Sequence, residues 1–375
     1  MSTHKEVELK LRYFQEELWE KISLEPIIVK MLLHGSKRQM FLETIYYDTP
    51  SYSLKKAGLS YRIRHQEEEW IATVKADGVT SGGLHDRSEW SFVINNPEPD
   101  ITPFYELPVG ERMKNSLGQE GLREILRTRF KRKSVDLRTP EGGLVELAVD
   151  WGEIVVDEKT TPIQEIELEL KDGNVADVLL IAAELARNYV LLPEGDSKFH
   201  RGLVLAKLST TEEKKAADSF IISPNEEAGA AIDKVLLFYV QEITEALEKS
   251  VKETDTIRVL NQFRDKLQNL KRVLSFSKSL INTKGNNEVL QRIEKMAEEV
   301  SHRRDIDISK GEYVPVVFEF WAWLLKNHWD EQKDIMTIRE YTVKWVGAKS
   351  FDSDIVEMEH ILEEFQSAIT RDLLE

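Results

Sequence analysis

From about residue 4 to about residue 205, apolar and polar positions alternate one by one; beyond about residue 210, apolar positions recur at three- and four-residue spacing. The first pattern belongs to strands, whose successive side chains point to opposite faces, and the second to amphipathic helices. EVELKLR, TIYYDT, LSYRIR, EWIATVKA, RSEWSFVI, RFKRKSVDLR, LVELAVDWGEIVV and IQEIELEL all alternate, and GVTSGG, NNPEPD, TPEGG and KDGN form turns between several of them. Helical spacing in this half is confined to Gln15 to Lys21, Leu117 to Arg127 and Asn174 to Tyr189. Strands following one another without intervening helices predict an α+β architecture with an antiparallel sheet.

The second half reads differently. LSTTEEKKAADS is polar enough for a linker, and Pro224 opens a helical region with elements expected at Ala230 to Lys249, Asp255 to Ser279, Asn287 to Arg304, Tyr313 to Asn327, Asp330 to Val346 and Asp352 to Leu374. Amphipathic helices with short connections imply an all-α bundle. Two domains are expected, residues 1–207 and 218–375. The most apolar stretch, Tyr313 to Trp329, is interrupted by Pro315, Glu319 and Lys326 and is short for a bilayer, so it reads as a buried helix.

Composition narrows the chemistry. The formal net charge of −16 argues against general affinity for nucleic acid or anionic membranes, which attract basic surfaces, but leaves room for a small polyanion in a local basic pocket. The absence of cysteine excludes disulfides, thiolate zinc sites and a cysteine nucleophile, so any metal should be hard and oxygen-bound. MSTHKEVELKLR has no apolar run of the kind a secretory signal needs, and the expected location is the cytoplasm.

Charge recurs on one face of strand after strand. Glu6, Glu8 and Lys10 share a face, as do Arg62 and Arg64, Thr73 and Lys75, Arg87 and Glu89, Glu146 and Asp150, and Glu165, Glu167 and Glu169. A single such strand is commonly a solvated surface strand. If the faces converge inside a closed barrel, the carboxylates must share a cation and the basic residues must face an anion, because unpaired buried charge is costly. Periodicity alone leaves open which face is the lumen.

The ordered set E-V-E-L-K, IYYDTP, a glycine followed by YRIR, TVK, GGLHDRSEW, E-I-E-L-E and SKFHRG resembles the CYTH superfamily of triphosphate tunnel enzymes over residues 4 to 205. Within it the chain is similar to bacterial inorganic triphosphatases that carry a C-terminal CHAD domain. The resemblance implies an antiparallel β-barrel tunnel followed by a CHAD-like helical bundle. It also implies Mg²⁺ or Mn²⁺ as cofactor and hydrolysis of inorganic tripolyphosphate. Metal ligands would come from Glu6, Glu8, Asp150, Glu165, Glu167 and Glu169, with Glu167 and Glu169 preferred over Glu165. Lys10, Arg62, Arg64, Lys75, Arg87, Lys198 and Arg201 match positions that hold phosphoryl oxygens. From RFKRKS, Arg132 is chosen over Arg129 and Lys131. Lys10, Arg62, Arg64 and Glu89 form the expected catalytic set, in which Glu89 or a late glutamate orients the attacking water. The helical domain would bind long-chain polyphosphate through basic residues such as Arg258, Arg264, Lys271, Arg272 and Lys278, although an early histidine of the CHAD pattern is missing.

Arginine forks suit phosphate oxygens, and carboxylates beside the same anion make sense when metal ions lie between them. No P-loop, G-x-S-x-G elbow, H-E-x-x-H or dinucleotide fingerprint is present. His85 reads as a turn or rim residue, and Tyr46, Tyr47, Trp70 and Trp90 read as strand packing. The alternatives are a polyphosphate-binding scaffold without turnover, a thiamine triphosphatase, or an adenylyl cyclase built on the same tunnel.

Overall fold

Eight long antiparallel strands close on themselves in the computed structural model, which describes residues 2–209, 222–223, 225–281, 288–303, 305–326 and 336–341. They are β1 (Ser2–Tyr13), β2 (Arg38–Asp48), β3 (Ser60–Gln66), β4 (Glu69–Ser81), β5 (Leu84–Ile94), β6 (Arg123–Arg138), β7 (Leu144–Val156) and β8 (Lys159–Asp172). Their order is β5-β4-β3-β2-β6-β7-β8-β1, and β1 pairs back onto β5, so the barrel has no free edge. A short β9 (Leu191–Pro193) continues along β1 past the end of β5. The architecture is thus a closed antiparallel barrel followed by a helical region.

Alternation within each strand gives the barrel a charged lumen and an apolar outer face, and helices cover part of the latter. Around the barrel lie α1 (Leu18–Ile22), α2 (Pro26–Met31), α3 (Ser53–Lys56), α4 (Gly110–Leu117), α5 (Val175–Asn188) and α6 (Lys198–Leu205). Tyr61, Ile63, Ala72, Val74 and Trp90 of β3 to β5 form one core with Leu54 of α3 and Met113 of α4. Leu9, Leu11, Leu147, Val149, Ile166 and Leu168, on the outer faces of β1, β7 and β8, are also buried.

Helix α6 supplies a floor to the barrel. Leu203 packs with Leu42, Tyr46, Leu126, Phe130, Ile154, Val156 and Ile163, all of lumen parity, and Phe199 joins the same cluster. Gly202 makes this approach possible: a Cβ there would lie 2.5 Å from Leu126 Cδ2. Ser197 caps the helix by accepting from the His200 amide. Exposure rises away from the floor: Lys198 is 8% exposed, whereas Arg38 and Lys171 at the far end reach 39% and 36%.

Two expectations from the sequence fail here. The helix expected over Leu117 to Arg127 is absent: α4 ends at Leu117, Gly118 takes φ +56, and β6 already pairs with β2 from Arg123. Strand β2 begins at Arg38, well before TIYYDT.

By backbone packing the chain divides into two units, Met1–Ile181 with Tyr189–Glu213, and Ala182–Asn188 with Lys214–Glu375. In the second, α7 (Ala228–Lys249) packs on α8 (Thr256–Ser277), α8 on α9 (Glu288–His302), α9 on α10 (Val314–Leu324), and α10 returns to α7. Buried positions on α8, among them Val259, Phe263, Leu267, Leu270 and Leu274, recur at three- and four-residue spacing, which puts one face into this bundle. The expected buried helix at Tyr313 is α10, with Glu319 paired to Arg187 and Arg292. The linker beyond Ser209 and the helix expected at Asp352 to Leu374 lie outside the described residues, as does most of the one at Asp330 to Val346. No described helix is long and apolar enough to cross a membrane.

Candidate active site

The lumen holds a cavity of about 330 Å³ lined by nine basic and six acidic side chains, a local excess of positive charge in a strongly acidic chain. Strand register sets the pairs. Glu8 lies opposite Glu169, Lys10 opposite Glu167, Lys75 opposite Glu89, and Glu146 opposite Glu169 on its other side.

One wall is a row of carboxylates. Lys10 bonds Glu8 at 2.8 Å and also Glu167, and Lys75 bonds both Glu6 and Glu89. Burial, the largest single influence, raises the Glu8 carboxyl, but Lys10 and then Lys75 act together against it, and the balance brings Glu8 down to about 2. Glu167 and Glu89 are held below the usual carboxylate range in the same way: burial opposes ionisation most, and it is overcome jointly by Lys10, Lys198 and Arg132 for the first and by Lys75, Arg62 and Arg64 for the second. Glu169 goes the other way, since burial and the charges of Glu6 and Glu8 raise it despite Lys171. Groups depressed in the folded state stabilise it above their unfolded value, and lose that contribution as pH falls through the folded one. Glu169 works in the opposite sense, so the barrel's thermal midpoint should not fall on acidification as far as pH 4.5, the ordinary value for Glu8, and should fall between there and pH 2 as Glu8, Glu167 and Glu89 lose their charge. Melting by circular dichroism across that range checks this, and an unchanged midpoint at pH 3 would contradict it.

The opposite wall is cationic and less compensated. Among the described residues, neither Arg64 nor Arg87 has a carboxylate within 4.0 Å, and the Nε atoms of Arg62 and Arg87 have no hydrogen-bond partner. Arg62 stands 3.8 Å from Glu89, and among the described residues Arg64 donates only to Thr44 Oγ1, at 3.2 Å. Burial, then Arg62 and Arg132, lower the Arg64 guanidinium to about 10. Three half-buried forks with donors to spare make a receptor for an anion.

Beneath the cavity is an ion cluster. The Lys198 ammonium lies 2.9 Å from Asp150, 2.6 Å from Glu165 and 2.8 Å from Glu167. Arg132 grips Asp150 through two 2.7 Å bonds and also bonds Glu167, and Arg201 bonds Glu165. The oxygens of Asp150, Glu165 and Glu167 lie close enough together to hold an ion, but Lys198 already bonds all three.

Of the residues expected from the sequence, Glu6, Glu8, Lys10, Arg62, Arg64, Lys75, Arg87, Glu89, Arg132, Glu167, Glu169 and Lys198 line one cavity. Asp150, Glu165 and Arg201 sit in the cluster below, off the cavity wall. Arg129 is more exposed and pairs with Glu43 instead. Arg38 and Lys171 were missed although they line the cavity, and Glu146, named on the charged face with Asp150, was left out of the site; Lys171 has the lumen parity of Glu169, and Arg38 precedes the part of β2 that alternates clearly. Tyr46 was read as packing. It stacks on Phe199 at 5.1 Å, yet it also lines the cavity, where Arg62 and Arg64 outweigh burial and lower its phenol below 10.

The model of the CYTH domain family matches residues 4–203, more than half of the chain. The chain belongs to this family. An inorganic triphosphatase of Haemophilus influenzae is 31% identical to it over 175 residues, which are 45% of this chain and 47% of that protein. The chain thus spans about half the length of the curated relative it matches. Among solved structures, a Hippeastrum protein described as a putative adenylyl cyclase with a dominant triphosphatase activity shares 18% identity, with 56% of this chain and 100% of that chain covered and a TM-score of 0.39. A Pyrococcus horikoshii protein shares 20%, covering 54% and 99%, with a TM-score of 0.31. The CYTH match ends two residues after Arg201, so it includes every cavity-lining residue.

Proposed function

We propose that the barrel hydrolyses inorganic tripolyphosphate with a divalent cation, Mg²⁺ or Mn²⁺. The observation that carries this reading is the juxtaposition, in one cavity, of under-compensated Arg62, Arg64 and Arg87 with the Glu6, Glu8 and Glu169 row. A site for an anion alone has no use for that row. The inorganic triphosphatase relative supports the choice of substrate.

Glu6, Glu8 and Glu169 would fit a hard cation: they share one wall of the cavity, Glu8 lies opposite Glu169, and the charges of Glu6 and Glu8 add to burial in raising Glu169, which is repulsion that a divalent ion would relieve. Bound there, the ion would neutralise phosphoryl charge and acidify or orient water. Asp150 and Glu165 are better suited to holding Lys198. Arg62, Arg64 and Arg87 bind phosphoryl oxygens and stabilise charge as it shifts toward the leaving group. Lys75 and Lys10 fix the carboxylates beside them. Glu89, kept anionic by Lys75, accepts a hydrogen bond from the attacking water and aligns it.

Long-chain polyphosphate binding by a CHAD-like helical unit has less support. Arg258, Lys266, Lys271 and Lys278 each pair with a glutamate, and Arg264 donates to the Val300 and Arg303 carbonyls.

The test is orthophosphate release from tripolyphosphate, thiamine triphosphate, ATP and pyrophosphate, with Mg²⁺, with Mn²⁺ and with chelator. The expected result is metal-dependent turnover strongest on tripolyphosphate. Equal turnover in chelator, or a cyclic product from ATP as the main activity, would overturn the proposal.

A further inference from the structure

The GGLHDR hairpin contributes more to the cavity than Arg87. Gly82 and Gly83 both take positive φ, 53° and 84°, as a two-residue turn between β4 and β5 requires. Gly83 has a second constraint, since a Cβ there would lie 2.7 Å from the Lys10 carbonyl. The turn is thereby seated against β1, where the Gly83 carbonyl accepts from the Lys10 amide. Two residues on, His85 is fully buried, with its ring nitrogens engaged on opposite sides. Nε2 faces the Glu194 carbonyl at 3.2 Å; Nδ1 faces the Arg87 guanidinium and, at 3.0 Å, the Thr80 hydroxyl.

A carbonyl only accepts, so Nε2 carries the proton, and Nδ1 of the neutral ring offers its lone pair to Arg87. This is an unusual partner for an arginine in a charged lumen. A carboxylate would hold the fork as firmly but would cancel its charge; a neutral imidazole aims it and leaves the charge intact. Arg87 has no carboxylate partner among the described residues, and its Nε is unbonded. We propose that His85 is a positioning residue that aims Arg87 at the substrate anion without neutralising it. The Glu194 carbonyl fixes the ring, and the ring fixes the fork. The inference rests on the triphosphatase reading only in naming the anion a phosphate chain.

The test is a double-mutant cycle between His85 and Arg87 in the full chain. It is read as KM and kcat for tripolyphosphate and as calorimetric affinity for tripolyphosphate in chelator. His85→Gln can keep a donor near Glu194 but loses the acceptor at Nδ1, whereas His85→Asn places its oxygen near Nδ1. The glutamine variant should raise KM and weaken affinity about tenfold, with a smaller change in kcat, as loss of an aimed charge-assisted contact implies. Asparagine should recover most of that loss. In an Arg87→Ala background, His85→Gln should have no further effect on affinity. Equal losses for asparagine and glutamine, or additivity with Arg87→Ala, would overturn the inference.

Should the glutamine variant not fold, Arg87→Lys tests the same point from the other partner. An ammonium keeps the charge but cannot present a planar fork to both ring and anion, so affinity should again fall about tenfold; wild-type affinity would overturn the inference. A wild-type protein that binds tripolyphosphate without hydrolysing it sinks the triphosphatase reading and leaves the cycle readable. A wild type that does not bind it at all sinks both.

Discussion

Lys198→Met is expected to lower stability by about 3–5 kcal/mol and to stop turnover, because it leaves buried carboxylates without their shared cation. Lys198 bridges Asp150, Glu165 and Glu167, and both Asp150 and Glu165 are completely buried. Arg132 and Arg201 remain, but each reaches only part of the cluster. Methionine nearly preserves the length of the side chain, so lost packing should contribute little. Urea unfolding of the full chain measures the effect, and Lys198→Met combined with Glu165→Gln should recover part of it. A methionine variant as stable as wild type would mean that the cluster is hydrated and that Lys198 is free to turn toward the cavity.

Glu6→Gln with Glu8→Gln should cut tripolyphosphate turnover by about a thousandfold or more while leaving the fold in place. Neutral amides keep the shape of the wall but lose the charge that attracts a hard cation. The pair can be neutralised without orphaning a lysine: Lys10 keeps Glu167, and Lys75 keeps Glu89. The thermal midpoint should fall, since Glu8 loses its stabilising charge, but by less than for Lys198→Met. Metal affinity, followed by calorimetry with Mn²⁺, should fall in parallel with rate. Wild-type rate and metal dependence in the double variant would remove Glu6 and Glu8 from the metal site.

The lumen was legible in the sequence where a strand has one charged and one apolar face. Glu6, Glu8 and Lys10 alternate cleanly with Val7, Leu9 and Leu11, and a strand admits no other arrangement. The reading failed where the strand is irregular. The β2–β6 register shifts between Tyr46 and Tyr47 and skips Ile125, and Ile125 and Leu126 both pack in the apolar floor cluster, so alternation breaks there and helical spacing from Leu117 onward takes its place. Helix α6 was seen only as a motif, since eight residues give too little periodicity to announce a helix. Its position also decides which acidic residues face open space. Glu165 and Glu169 lie on one face of β8, four residues apart, and nothing in that alternation says that Lys198 and Arg201 will cover one and not the other.

The apolar floor has a consequence for traffic. A barrel stopped at one end by Leu203 and Phe199, and reached past Arg38 and Lys171 at the other, behaves as a stack: what enters last must leave first. On the proposed triphosphatase reading, a phosphate chain would go in end-on, and after cleavage the fragment nearer the entrance would block its sibling. Product departure is then sequential by geometry, and an orthophosphate or pyrophosphate added from outside would trap the deeper fragment as well as compete with new substrate.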